Sequence, residues 1–195
     1  MTVKNRDRRF KISFNAPVVL IFTAICLLAQ LLKLVLSDST YLKIFSVYRS
    51  PFGVMWVLRL FTHVFGHSGW DHLIGNMMYF LILGPLLEEK YGSKNLVIII
   101  LIVALVTGAF SLLFFRAPTL GASGVVFAFI LLSSITMRDS GTIPLTFLLV
   151  ALLYIGRQIV QIFQPNSINE LSHIVGGAVG SVIGFLMSGE KKKKS

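Results

Sequence analysis

Apolar residues in this chain do not alternate with polar ones but gather into long runs. The runs occupy positions 17–36, 73–87, 96–115, 120–137, 143–162 and 171–187. A helix needs ~20 apolar residues to cross a bilayer core, so the pattern predicts six membrane-crossing helices. The third run carries no charge, while the second and sixth are short and contain glycine. The first is too long for a signal peptide and lacks a small-x-small cleavage site, so it is expected to stay as a span. The longest connection, 37–71, holds Phe45, Tyr48, Phe52, Trp56 and Phe61. That is too apolar for a solvated loop. It predicts a structured segment lying partly in the membrane interface, where Trp and Tyr prefer to sit.

Composition narrows the class. Of 195 residues 55% are hydrophobic and only 13% charged. A soluble fold of this length could not cover that much apolar surface, and a disordered chain would not contain it. The formal net charge is +10, yet the basic residues sit at the chain ends and between apolar runs. That argues for orientation in a membrane and against a nucleic-acid partner. With both termini in the cytosol, twelve Lys and Arg fall on the inner side and four (Lys43, Arg49, Arg59, Arg116) on the outer side. Lys33 and Arg157 lie near span ends, where long side chains can snorkel. The basic tails, 1–16 and 189–195, then act as cytoplasmic anchors on anionic lipid, and 17–188 forms the membrane domain. Glu88 and Glu89 are expected as solvated inner-face residues or partners of Lys90 and Arg138. The single cysteine, Cys26, can form neither an internal disulfide nor a zinc cluster.

The polar residues inside the runs are the informative ones, because lipid makes them costly. His63, His67, His72 and Asn76 lead into the second run, and His72 and Asn76, four apart, share a helix face. The fourth opens with Gly121-Ala122-Ser123-Gly124, the sixth with Ser172-His173 followed by Gly176, Gly177, Gly180 and Gly184. The second, fourth and sixth spans all run from outside to inside. At 1.5 Å per residue Ser123 and His173 each lie ~21 Å from the inner end, His72 ~23 Å and Asn76 ~17 Å. These four side chains therefore share one level. A serine hydroxyl becomes a nucleophile when a base, most often histidine, takes its proton. A Ser123–His173 dyad is expected, since no carboxylate stands near that level in the fourth or sixth span. The N–H groups of the turn at Ser123, with His72 and Asn76, could receive an oxyanion. The small-residue stripe at 176, 180 and 184 is expected to pack against the Ser123 helix.

Bland readings compete with this. Small residues in membrane helices usually serve packing, and a lone histidine is often only a hydrogen-bonded interior residue. His63, His67 and His72 could suggest a metal, but no carboxylates support one, and neither metal nor cofactor is expected.

Taken together, the motifs resemble the rhomboid family of intramembrane serine proteases. Gly121-Ala122-Ser123-Gly124 resembles its GxSG nucleophile motif, and His173 with Gly176 and Gly180 its histidine motif. The stretch 61–67, then His72 and Asn76, resembles its second-helix signature. Glu88 with Gly92 and Ser93 resembles the end of that helix. The resemblance implies an all-α membrane protein, a six-transmembrane-helix bundle with cytoplasmic termini and a membrane-embedded first loop, 37–71. It implies Ser123 as nucleophile and His173 as base. His72, Asn76 and the Ser123 N–H would form the oxyanion hole, shaped by Gly121, with His67 structural and Gly124, Gly176 and Gly180 supporting. Substrates would be single-span membrane proteins cut near their outer boundary, in a bacterial inner membrane, with the active site facing outward. The fifth span and the loop 164–170, with Arg157 and Gln158 at the rim, would form a gate.

Three positions depart from the family pattern. Leu58 precedes Arg59 where Trp is usual, Phe127 stands where Tyr is common, and Ser172 replaces alanine. Phe127 is still expected to stack on His173. None of the three removes a reacting group. The alternatives are a catalytically silent relative that binds membrane helices and a small transporter; the latter usually shows two related halves, and no repeat is visible here.

Overall fold

The fold was read from a computed structural model, which describes residues 14–139, 145–162 and 168–192. The described residues are helical throughout their regular structure, with six long helices and two short ones. In chain order these are α1 (Pro17–Leu32), α2 (Asp38–Phe45), α3 (Val54–Thr62), α4 (Trp70–Tyr91), α5 (Ser93–Phe114), α6 (Ser123–Asp139), α7 (Leu145–Ile162) and α8 (Ile168–Lys192). A 3₁₀ turn, His63–Phe65, joins α3 to the loop before α4. Among the described residues α5 is the one helix both long and apolar enough to cross a membrane on those two criteria.

α6 is the axis of the bundle. Every residue from 121 to 130 is buried, and the helix packs on α8, α4 and α5. Phe80 of α4 stacks on Phe129 of α6 with centroids 4.8 Å apart, and Phe22 of α1 stacks on the other side of that seam at 4.5 Å. The outward faces are apolar instead. Ile21, Leu28, Ile82, Leu101, Leu152 and Leu153 are exposed. Such an apolar exterior suits lipid and would associate in water.

The small-residue stripe of α8 meets two helices, not one. A Cβ on Gly176 would collide with Thr107 of α5, and one on Gly180 with Val103 of α5. Gly177 and Gly184 face α6, against Phe127 and Leu132, and a Cβ on Gly180 would also meet Ala128 of α6 at 3.2 Å. The expected packing on the Ser123 helix is present and α5 is added to it: α8 lies in the groove between α5 and α6, because adjacent glycines at 176 and 177 open both sides of the helix.

Glu88 also departs from its expected place. It is 4% exposed, and its carboxylate accepts the Val18 and Val19 N–H groups at 3.0 and 3.1 Å and the Ser93 hydroxyl at 2.7 Å. The carboxylate caps α1, whose own Ala16 has no side chain to do so, and sits at the positive end of that helix. Glu88→Ala is expected to cost about 2–4 kcal/mol, since it strips the donors of a charged acceptor. Glu88→Gln, which keeps an acceptor, should cost less. Denaturant unfolding of the detergent-solubilised variants measures both, and equal stabilities across the series would refute the cap.

The stretch 37–71 is structured. Ser37 caps α2 by accepting the Thr40 N–H at 3.3 Å. Arg59 is buried, its guanidinium 4.1 Å over the Tyr48 ring and bonded to Ser50, with its Nε donating to the Met55 carbonyl at 3.0 Å. Leu58 beside it is half exposed, so Arg59 anchors this segment through Tyr48 and Ser50.

Candidate active site

The chain enters α6 through a non-helical lead-in, residues 119–122, that other segments hold in place. Thr119 pairs with Val47 in an antiparallel bridge, with N–H to O distances of 2.9 and 3.0 Å. The Gly121 N–H donates to the His63 carbonyl at 2.9 Å. Gly121 has φ +129, a conformation that other L residues rarely adopt. A Cβ there would lie 2.7 and 2.8 Å from Cε1 and Nε2 of His72 and 3.7 Å from Ser123 Oγ. The glycine is thus required twice, for its backbone angle and for the imidazole lying against it.

Ser123 is the first residue of α6 and His173 lies in the second turn of α8; each is 5% exposed. Ser123 Oγ lies 2.9 Å from each ring nitrogen of His173. The hydroxyl has one proton and can donate it to one nitrogen at a time. The close approach depends on missing side chains. A Cβ on Gly124 would lie 2.9 Å from Thr107 Oγ1 and 3.7 Å from the His173 Cα, and Gly176 meets the same Thr107. A serine hydroxyl held against an imidazole at a helix N-terminus can act as an activated nucleophile with N–H groups nearby for an oxyanion.

His72 and Asn76 approach from α4. The Ser68 N–H donates to His72 Nδ1 at 3.5 Å, and Ser68 Oγ is 3.1 Å from the same nitrogen. Asn76 lies one turn on from His72 and one turn before Phe80, whose ring stacks on α6. It is buried, and its Nδ2 has no hydrogen-bond partner among the described residues. Such a donor costs about 1–3 kcal/mol to leave unmet, so its position invites an acceptor.

His67 is fully buried with its ring edge-on to His72 at 5.0 Å. Its Nδ1 is 3.2 Å from the Phe65 carbonyl, which can only accept. Burial, with His72 as a second cause, pushes its pKa down from 6.5 to about 3. Between those values the unfolded state binds a proton that the folded state refuses. Stability is therefore flat above about pH 6.5 and falls as pH drops through the window. The loss from this group is on the order of 2 kcal/mol by about pH 5. His67→Gln should flatten that part of a stability-against-pH curve; an unchanged slope would overturn the assignment.

Phe127 packs on Gly177 and against Tyr154, with ring centroids 6.3 Å apart. Tyr154 of α7 is a site neighbour that sequence reasoning missed. Its hydroxyl donates to the Ser123 carbonyl at 3.2 Å. The available signal was its place as a polar-tipped residue inside the otherwise apolar run 147–155. The side chains of Arg157, Gln158 and Ser172, and residues 163–167 of the expected gate, lie outside the described part. So do most of the two basic tails and the side chain of Arg138. No three His, Cys, Asp or Glu among the described residues come together to hold a metal.

Residues 55–190 match the Rhomboid domain, more than two thirds of the chain. This chain belongs to the rhomboid family. It is 26% identical over 185 residues to the rhomboid protease GlpG of Haemophilus influenzae, covering 91% of this chain and 94% of that protein. It is 28% identical over 185 residues to the proteins of the same name from Salmonella newport and Salmonella typhimurium. Of those it spans 66%, just under two thirds of their length. Membership makes this rhomboid chain an integral membrane protein of a serine intramembrane protease family, as the motifs implied.

Proposed function

We propose that this rhomboid is a serine endopeptidase that cuts single-span membrane proteins within or near their transmembrane segments, with Ser123 and His173 as its dyad. One observation carries the reading: Ser123 Oγ lies 2.9 Å from the His173 ring in a buried setting. Ser123 attacks the scissile carbonyl while His173 takes its proton and then returns it to the leaving amine. The oxyanion is received by the Ser123 N–H, by Asn76 Nδ2 and by the imidazole N–H of His72 lying against Gly121. Water then attacks the acyl-enzyme, again with His173 as base. His67, Phe127, Gly124, Gly176 and Gly180 hold these groups at their spacing.

In the membrane, α1, α4, α5, α6, α7 and α8 are the six spans, with both basic tails in the cytoplasm. Twelve inner against four outer basic residues support this direction. The site then opens on the extracytoplasmic side of a bacterial inner membrane, and α2 and α3 lie in the outer interface. Neither cofactor nor nucleic acid takes part.

The test is reconstitution of the purified protein in liposomes with a single-span substrate. Cleavage near the outer boundary, and labelling of Ser123 by a fluorophosphonate, are expected. A folded protein that binds the substrate helix without cutting it would instead be the silent adaptor. Cysteine accessibility at both tails from the outer side would overturn the topology.

A further inference from the structure

The residues that hold His72 include three to which no role has been given. Lys33, just past the end of α1, donates from Nζ to the Ser68 carbonyl at 2.6 Å and lies 5.5 Å over the Tyr41 ring. Tyr41, buried on α2, brackets the neighbouring peptide: its hydroxyl accepts the His67 N–H at 2.9 Å and donates to the His67 carbonyl at 3.3 Å. Two elements that do not touch Ser123 thus pin the backbone of residues 67 and 68 from both sides. Ser68 in turn meets His72 Nδ1 with its N–H and its hydroxyl.

Chemistry then fixes the ring. An N–H group can only donate, so Nδ1 must accept, and in neutral imidazole the proton belongs on Nε2. Nε2, with Cε1 beside it, is the edge of the ring that lies against Gly121, where an added Cβ would be 3.7 Å from Ser123 Oγ. The opposite tautomer would put a lone pair there and repel a developing oxyanion.

We infer that Lys33, Tyr41 and Ser68 are positioning residues that hold His72 as its Nε2–H tautomer, with the donor turned toward the Ser123 site. The inference rests on the proposed oxyanion role of His72 for its consequence, but the tautomer itself can be observed without catalysis. Lys33 was expected only to snorkel at a span end. Here its ammonium group is instead tied to a backbone carbonyl four residues before His72.

The chain has four histidines, which makes the experiment tractable. ¹⁵N-histidine-labelled protein in detergent micelles, with His72 assigned by its His72→Gln variant, reports which nitrogen carries the proton. Wild type should show the Nε2–H form. Ser68→Ala should shift His72 toward a mixture, and Ser68→Thr, which keeps a hydroxyl, should restore the wild-type form. Because kcat scales with the competent fraction, Ser68→Ala should lower kcat ~3- to 10-fold with KM unchanged. Lys33→Met should shift both readouts in the same direction by a smaller factor, and Lys33→Arg should recover them. An Nδ1–H tautomer in wild type overturns the inference, and so does an unchanged tautomer ratio in both Ser68→Ala and Lys33→Met. If Ser68→Ala fails to fold, the wild-type tautomer and the Lys33 pair still decide. Failure of the protease reading shows separately, as absence of Ser123-dependent cleavage from a protein whose His72 has the expected tautomer.

Discussion

Ser123→Ala should reduce cleavage of a reconstituted single-span substrate by ~10⁴-fold or more, and His173→Ala by a similar factor. The two groups act as one unit. Without the hydroxyl no acyl-enzyme can form, and without the imidazole the hydroxyl keeps its proton. The double variant should therefore be hardly worse than either single one, since residual catalysis comes only from binding and the oxyanion donors. Both side chains are small or half-polar and sit where neighbouring glycines, not they, set the helix spacing. The variants should stay folded, with unfolding midpoints close to wild type. Fluorophosphonate labelling should disappear in Ser123→Ala. Single-turnover cleavage by a folded Ser123→Ala protein within tenfold of wild type would end the dyad reading.

Asn76→Ala should lower kcat by ~10²- to 10³-fold while leaving KM nearly unchanged, the signature of a donor used only in the transition state. Its stability behaviour sets it apart from an ordinary buried polar residue. Truncating a partnered buried amide strands the partner and destabilises the fold. Asn76 Nδ2 has no partner among the described residues, so its removal strands nothing on that side. Loss of turnover at wild-type stability is the expected pair of results. Loss of stability with normal turnover per folded molecule would make Asn76 a packing residue.

Much of this arrangement was legible in the chain because lipid makes polar residues rare. Ser123, His173, His72 and Asn76 stand out against apolar runs, and a rise of ~1.5 Å per residue puts them at one level. The structure brings Ser123 and His173 into contact, and places His72 against Gly121 beside them. What could not be read were contacts between distant segments. Glu88 looked like a surface charge because its neighbours in sequence are charged, but its partners are α1 amides some seventy residues away. The glycines of α8 gave a stripe but not which helix each would face, since adjacent glycines at 176 and 177 leave two faces open. Tyr154 and Ser68 were invisible for a related reason: each acts through a backbone or ring atom whose position only the tertiary fold sets.

The bridge between Val47 and Thr119, with the Gly121 bond to the His63 carbonyl, has a kinetic corollary. These are main-chain bonds joining a loop segment to the lead-in of the central helix, and they cannot open separately from the turn that presents Ser123. Their amides belong to the same cooperative unit as the helix itself. Deuterium should enter Val47, Thr119 and Gly121 as slowly as it enters the middle of α6. Those three exchange rates then form an internal clock for how often the whole active-site scaffold comes apart, readable in the resting enzyme with no substrate present.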